Sequence, residues 1–152
     1  MSASPVTPQP LPPERSRYMG QAAVQCYRIL ERFSGGPVAS GQEGIQLLDE
    51  WIDRMTRKAP LSAQARVQVI AFLGQAFLGR HGGYWAMQIR DKKPTLGIVC
   101  PVVILTRRAA RGPDEDRRFI DISDQVQRRL THGMAESLAF FYLTTGMELG
   151  KA

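Results

Sequence analysis

The chain has few residues of the kinds that build catalytic centres or covalent scaffolds. Its 152 residues include two cysteines, Cys26 and Cys100, and two histidines, His81 and His132. Two cysteines are too few for a disulfide scaffold, and both stand in apolar patterns, so we expect small reduced core residues. Neither histidine has a cysteine or a carboxylate at a spacing typical of metal ligands. The sequence therefore predicts no metal and no cofactor.

Long apolar runs are missing as well. The longest one, residues 67–79, is broken by Gln75 and falls short of the roughly 18 residues that span a bilayer. The first residues, MSASPVTPQPLPPERS, lack the apolar core of a secretory signal. From these two absences we expect a cytoplasmic protein that does not contact a membrane.

The common signatures of nucleophilic and nucleotide chemistry are absent too. The sequence holds no GxSxG, no Walker loop and no GxGxxG, and the glycine-rich segment SGGPVASGQEG lacks a Gly-Lys-Ser/Thr ending. Asp49 and Asp53 stand one helical turn apart, a spacing that paired catalytic carboxylates can use. Because Arg54 and Arg57 follow directly, we interpret the pair as part of a solvated helix face.

The formal net charge of +6 is unevenly distributed. Between Arg54 and Lys93 there are eight basic residues and one acidic residue, Asp91. A positive field of this kind attracts acidic protein surfaces or nucleic acid.

Apolar spacing predicts a single α+β domain over residues 14–152, with about six helices around a small antiparallel β-hairpin. Residues 1–13 hold five prolines and supply almost no apolar surface, so we predict a disordered tail there. Predicted helices cover residues 14–33, 101–110, 116–130 and 133–149, and two more begin at Ser40 and after Ser62. For residues 101–110 the run VVIL favours a strand, but the leading proline and RRAAR favour the helix that we adopt.

Capping signals mark the two remaining helices. Ser40 with Glu43 predicts a capping box, and Ser62 predicts an N-cap. The helix that follows Ser62 is apolar almost all round, and such a helix must be surrounded by the rest of the fold.

The hairpin follows this central helix, after the turn at Gly82 and Gly83. We predict strands over residues 84–90 and 95–100, with the turn at 91–94 between them. Trp85 alternates with apolar residues and is predicted to anchor the core. The opposite face and the basic tip supply the candidate partner-binding residues, which are Tyr84, Arg90, Lys92 and Lys93.

The order of these motifs resembles a bacterial family of small domains, catalogued as domain of unknown function 3806, which includes immunity-like relatives. The similarity covers about residues 43–130. The matching positions are Leu73, Gly74, Gly82, Gly83, Trp85 and Pro101. The resemblance implies an α+β fold and a toxin-neutralising or adaptor role, and it carries no catalytic residue.

These observations favour a non-enzymatic protein that binds another protein. A nucleic-acid-associated accessory protein that uses the basic hairpin is the first alternative. A small enzyme with its site between His81 and Trp85 is the second alternative.

Overall fold

A computed structural model describes residues 7–103 and 117–150 of the chain. In these two stretches the chain forms five α-helices, one short 3-10 helix and four β-strands. In chain order they are β1 (Gln9–Pro10), α1 (Pro13–Ser34), α2 (Gln42–Thr56), α3 (Ala63–His81), β2 (Tyr84–Arg90), β3 (Lys93–Pro101), β4 (Arg117–Ile120), α4 (Ile122–His132), the 3-10 helix (Gly133–Glu136) and α5 (Leu138–Glu148).

The predicted α+β class is confirmed, and the described residues contain five of the roughly six helices expected for the chain. The strands form one antiparallel sheet in the order β1-β2-β3-β4. Asp91 and Lys92 both have positive φ, at 53° and 65°, as in the two-residue turn that matches the right-handed twist of a hairpin. None of the helices in the described stretches is long and apolar enough to cross a membrane.

The central helix, α3, begins where the sequence predicts it to begin. The Ser62 hydroxyl accepts a hydrogen bond of 3.0 Å from the backbone N–H of Ala65, which confirms the N-cap. Trp85 of β2 is 3% exposed and lies directly over Gly74 of α3. The two cysteines, Cys26 and Cys100, are buried and free, and burial raises the pKa of each thiol to about 12.

The two faces of the sheet have different roles. The inner face carries Trp85, Ile98, Cys100 and Ile120, which belong to the same buried cluster as the helices. The outer face carries the opposite set of side chains, among them Ala86 and Val99, which are buried but lie outside that cluster. The ring of Phe119 lies over Gly97 on this outer face, where an added Cβ would stand 2.7 Å from its Cζ.

The prediction of a disordered tail over residues 1–13 is wrong for its last part. Gln9 and Pro10 pair with Met87 and Ala86 of β2, and the N–H of Leu11 donates to the Trp85 carbonyl at 3.0 Å. Proline is tolerated here because an edge strand needs few N–H donors. Helix α1 then begins at Pro13, where the missing N–H would be unpaired in any helix. Residues 1–6 lie outside the described residues.

Two helix starts differ from the sequence prediction. The capping box of Ser40 and Glu43 does not form, because Gly41 at φ +81° occupies the N-cap position and α2 begins at Gln42. Residues 117–120 form β4 instead of the first turn of a helix that starts at 116. Phe119 and Ile120 alternate between the two sheet faces, and the helix starts only after Asp121, whose carboxylate accepts from the Asp124 N–H at 3.0 Å.

The predicted last helix, residues 133–149, is interrupted. Ser137 adopts an extended conformation, so a 3-10 helix precedes it and α5 follows it. Pro101 is the last residue of β3, and the predicted helix over 101–110 lies outside the described residues from position 104 onward.

The contact between Gly74 and Trp85 generates a stability prediction. A Cβ at position 74 would lie 2.1 Å from Cη2 of the buried Trp85 ring. We expect Gly74→Ala to lower the free energy of unfolding by about 1–3 kcal/mol, because the ring has no room to move. Gly79→Ala is the matched control in the same helix, since nothing lies within 4 Å of its added Cβ. It should raise stability by about 0.5–1 kcal/mol. Urea unfolding measures both, and equal effects of the two substitutions would contradict the packing described.

Candidate interaction surfaces

The basic tip of the hairpin is brought together by the β2–β3 turn. Arg90 and Lys93 are opposite each other in the sheet, and Lys92 occupies the turn, all three exposed. The guanidinium of Arg90 lies 3.8 Å from the carboxylate of Asp121. With Asp91 also in the turn, the positive field of the tip is partly compensated.

Tyr84 does not belong to this tip. It lies at the other end of β2, six residues from Arg90, which corresponds to about 20 Å along a strand. The pairing places Tyr84, Val99 and Phe119 in one row across the outer face of the sheet. The sequence does not indicate that Tyr84 and Phe119 are neighbours, because its pattern predicts a helix at Phe119.

Both end residues of the turn from His81 to Trp85 are buried. His81 is buried, with its ring centroid 6.1 Å from that of Phe77, and Trp85 is buried against Gly74. Among the described residues, no three histidine, cysteine or acidic side chains cluster in a way that could hold a metal ion.

A buried ion pair joins α2 to α4, where the sequence predicted a solvated helix face. Arg129 of α4 and Asp49 of α2 have side chains that are 2% and 3% exposed, and the Arg129 Nε donates to Asp49 Oδ1 at 2.8 Å. The Nη2 of Arg129 also donates to the Asp49 carbonyl at 3.1 Å and to Asp53 Oδ1 at 2.7 Å. Burial alone lowers the pKa of Arg129, but hydrogen bonds to Asp49 and Asp53 and their negative charges outweigh it and raise the pKa above its ordinary value.

The same carboxylate holds the start of α5. Asp49 Oδ1 accepts from the N–H of Leu138 at 3.1 Å, and Oδ2 accepts from the N–H of Ala139 and the hydroxyl of Ser137, both at 2.9 Å. An anion is favoured at a helix N-terminus, where backbone N–H groups lack partners within the helix. Both oxygens of Asp49 therefore have two donors each. The i, i+4 spacing of Asp49 and Asp53 was visible in the sequence, but their partner 80 residues later was not.

An apolar cleft of about 350 Å³ lies between α1, the α1–α2 connection and α3. Small residues of α1 and α3, including Gly20 and Ala76, leave the space open, and Tyr27, Val38 and Phe72 supply its larger apolar walls. Its volume is at the lower end of the range for ligand pockets.

Arginines line a second groove, which adjoins this cleft. This groove runs over α1, shares Gly20 and Val24 with the cleft, and is lined by Arg17 and Arg28 at its two ends. Both arginines are exposed, and the segment from Arg15 to Arg28 contains no acidic residue. Eleven residues of helix place their backbones about 16 Å apart. The surface thus places an apolar recess beside a groove that carries a positive charge at each end.

The outward face of α5 is apolar and exposed. Phe140, Leu143 and Met147 are 67%, 48% and 59% exposed, and their spacing places them in one stripe along the helix. The opposite face of α5 is buried, with the Tyr142 ring centroid 4.8 Å from that of Phe77. The one charged residue of the helix, Glu148, is paired with Arg118 of β4.

No family model matches this chain, and no match was found among curated proteins or solved structures.

The buried ion pair generates a second stability prediction. Asp49→Asn keeps the side-chain volume but leaves the Arg129 charge buried with one carboxylate fewer, so we expect a loss of about 3–5 kcal/mol. Asp53→Asn is the matched control, because its side chain is 38% exposed and accepts one of the Arg129 bonds. It should lower stability by at most about 1 kcal/mol. Denaturant unfolding of both variants checks this, and similar losses would show that Asp49 is not the dominant partner.

Proposed function

We propose that this chain is a non-enzymatic protein-interaction domain whose cleft between α1 and α3 binds an acidic, amphipathic helix of a partner protein. The observation that carries the proposal is the combination of an apolar cleft of about 350 Å³ with an adjoining groove over α1 that is lined by the exposed Arg17 and Arg28. A toxin-neutralising or adaptor role, implied by the resemblance to domain of unknown function 3806, is the biological setting we propose for this binding.

The apolar part of the cleft supports an amphipathic occupant. Its lining residues leave a recess that accepts large apolar side chains, and burying one leucine-sized side chain is worth about 1.5–3 kcal/mol. An amphipathic helix inserts such side chains at i and i+4 into a groove, with its polar face in water. Val24, half exposed at the rim, extends the apolar contact beyond the recess.

The charge of the adjoining groove supports an acidic occupant. Arg17 and Arg28 stand about 16 Å apart, three turns along α1. Glutamates eleven residues apart on a partner helix would match this distance. The protein as a whole carries +6, so its long-range field also favours an acidic partner.

In this proposal the hairpin tip makes a second, electrostatic contact with the partner protein. Arg90, Lys92 and Lys93 are exposed, and they would steer an acidic surface during encounter. Because Asp121 and Asp91 offset part of this charge, the tip is less suited than the cleft to hold a partner. Because its positive charge is partly offset, the tip also favours a protein partner over nucleic acid, which is our first alternative.

The test uses a labelled probe peptide that forms an acidic helix, with two leucines at i and i+4 and glutamates eleven residues apart. Gly20→Leu fills the cleft, since an added Cβ at Gly20 meets only the Gln75 amide, 4.0 Å away. We expect this variant to bind the probe about tenfold more weakly or worse by fluorescence anisotropy, because one apolar anchor is lost. Gly79→Leu, the same substitution at an open position of α3, should bind as the wild type does.

Charge-reversal variants and alternative probes complete this experiment. Arg17→Glu with Arg28→Glu should weaken binding mainly at low salt, because screening shortens the Debye length to about 8 Å near physiological salt. A probe with serines in place of the leucines is the control peptide. Equal binding by wild type and Gly20→Leu, or no preference for the acidic probe, would contradict the proposal. Tighter binding of a single-stranded oligonucleotide, lost in Lys92→Glu with Lys93→Glu, would favour the nucleic-acid alternative instead.

A further inference from the structure

The cleft and the groove over α1 meet at Gly20, which lines both of them. Arg17 stands three residues earlier on α1 and lines the groove. Gln75 of α3 lines the cleft, and its Nε2 would lie 4.0 Å from a Cβ added at Gly20. A guanidinium and a carboxamide, both of them hydrogen-bond donors, therefore line the surface around Gly20 from two different helices.

Neither of these donors is used inside the protein. In the part of the chain that the structure describes, Arg17 forms no ion pair and the Gln75 amide forms no hydrogen bond. Gln25, which lines the groove, differs, because its Oε1 accepts a hydrogen bond of 3.1 Å from Gln68 Nε2. The Gln75 side chain is half-buried at the wall of the cleft, so its amide is available to an occupant.

The segments that form this surface contain no carboxylate. Helix α3 has no acidic residue, and neither have residues 15–28 of α1 or residues 35–41 of the α1–α2 connection. A positive charge beside a free amide N–H, with no carboxylate in the same segments, favours an anion supplied by a binding partner.

We propose that Gln75 determines the specificity of the cleft by donating, together with Arg17, to one carboxylate of the partner helix. This inference rests on the proposed function and adds to it which acidic residue of the partner is selected. A carboxylate accepts several hydrogen bonds at once, so a guanidinium and an amide can share it. Arg28 stands eight residues of helix, about 12 Å, beyond Gly20 and meets a different residue of the partner. The two glutamates of an acidic partner helix are therefore not equivalent.

Fluorescence anisotropy tests this with the labelled acidic helical probe and two derivatives, each of which carries lysine in place of one of its two glutamates. Gln75→Glu keeps the size of the side chain, removes the N–H donor and adds a negative charge. We expect it to bind the acidic probe at least about tenfold more weakly, because a hydrogen bond to a charged group is replaced by repulsion. Gln75→Lys, which keeps an N–H donor at this position, should bind the acidic probe at least as tightly as wild type.

The two lysine probes identify the contact by a charge swap. Gln75→Glu should bind one lysine probe more tightly than wild type does, because the new carboxylate pairs with that lysine. It should gain nothing with the other probe, whose lysine lies at the Arg28 end of the groove. Gln64→Glu, the same substitution at an exposed position in the first turn of α3, is the matched control and should bind every probe about as wild type does.

The outcomes separate this inference from the proposed function. If wild type binds the acidic probe and Gln75→Glu binds all three probes as wild type does, the role of Gln75 is overturned while binding in the cleft stands. Equal gains for both lysine probes, or an equal loss for all three probes, would also overturn it, because neither result reports a single contact. Wild type that does not bind the acidic probe would contradict the proposed function and this inference together.

Discussion

The carboxylate of Asp49 is the point at which three separate parts of the chain are joined. It lies on α2, accepts the Arg129 guanidinium from α4, and accepts the first two N–H groups of α5. A buried charge is tolerated only where such donors replace water, and here each oxygen has two. A well-packed apolar pair could be as stable, so we infer that the ion pair serves mainly to fix one arrangement of α5.

The orientation of α5 follows from this arrangement. Once the start of α5 is held at Asp49, the helix buries Leu138, Tyr142 and Thr145, and its remaining face presents Phe140, Leu143 and Met147 to solvent. The hydroxyl of Tyr142 lies near Gly41, one of the residues that line the cleft. The cleft itself depends on small residues, since side chains larger than Gly20 and Ala76 would fill it. The structure thus leaves apolar side chains exposed on α5 and, between α1 and α3, an apolar recess that adjoins a groove lined by arginines.

Local signals in the sequence predicted much of the fold. The spacing of apolar residues defined α1 and α3, Ser62 marked the α3 cap, and alternation marked the hairpin with Trp85 inward. The predictions from the sequence are wrong where a contact with a residue far along the chain determines the local structure. Residues 117–120 form a strand because they pair with β3. Gln9 and Pro10 are ordered because they pair with β2. Asp49 is buried because Arg129 lies opposite, and no local pattern could identify that partner.

The candidate sites were predictable to a smaller degree. The basic tip exists as expected, but Tyr84 lies at the far end of its strand, because six residues of extended chain separate it from Arg90. The cleft could not be predicted from the sequence, because it depends on how closely α1 and α3 approach each other. The position of the start of α5 is fixed by its contacts with Asp49.

Hydrogen exchange at the start of α5 tests the central claim most directly. The first N–H groups of a helix normally exchange fast, because they lack partners within the helix. If Asp49 holds α5, the amides of Leu138 and Ala139 should exchange only on global unfolding, at the rates of core amides such as Leu73. The equivalent first-turn amides of α3, at the exposed residues Ala63 and Gln64, should exchange much faster. Exchange of Leu138 and Ala139 as fast as that of Ala63 and Gln64 would contradict the account.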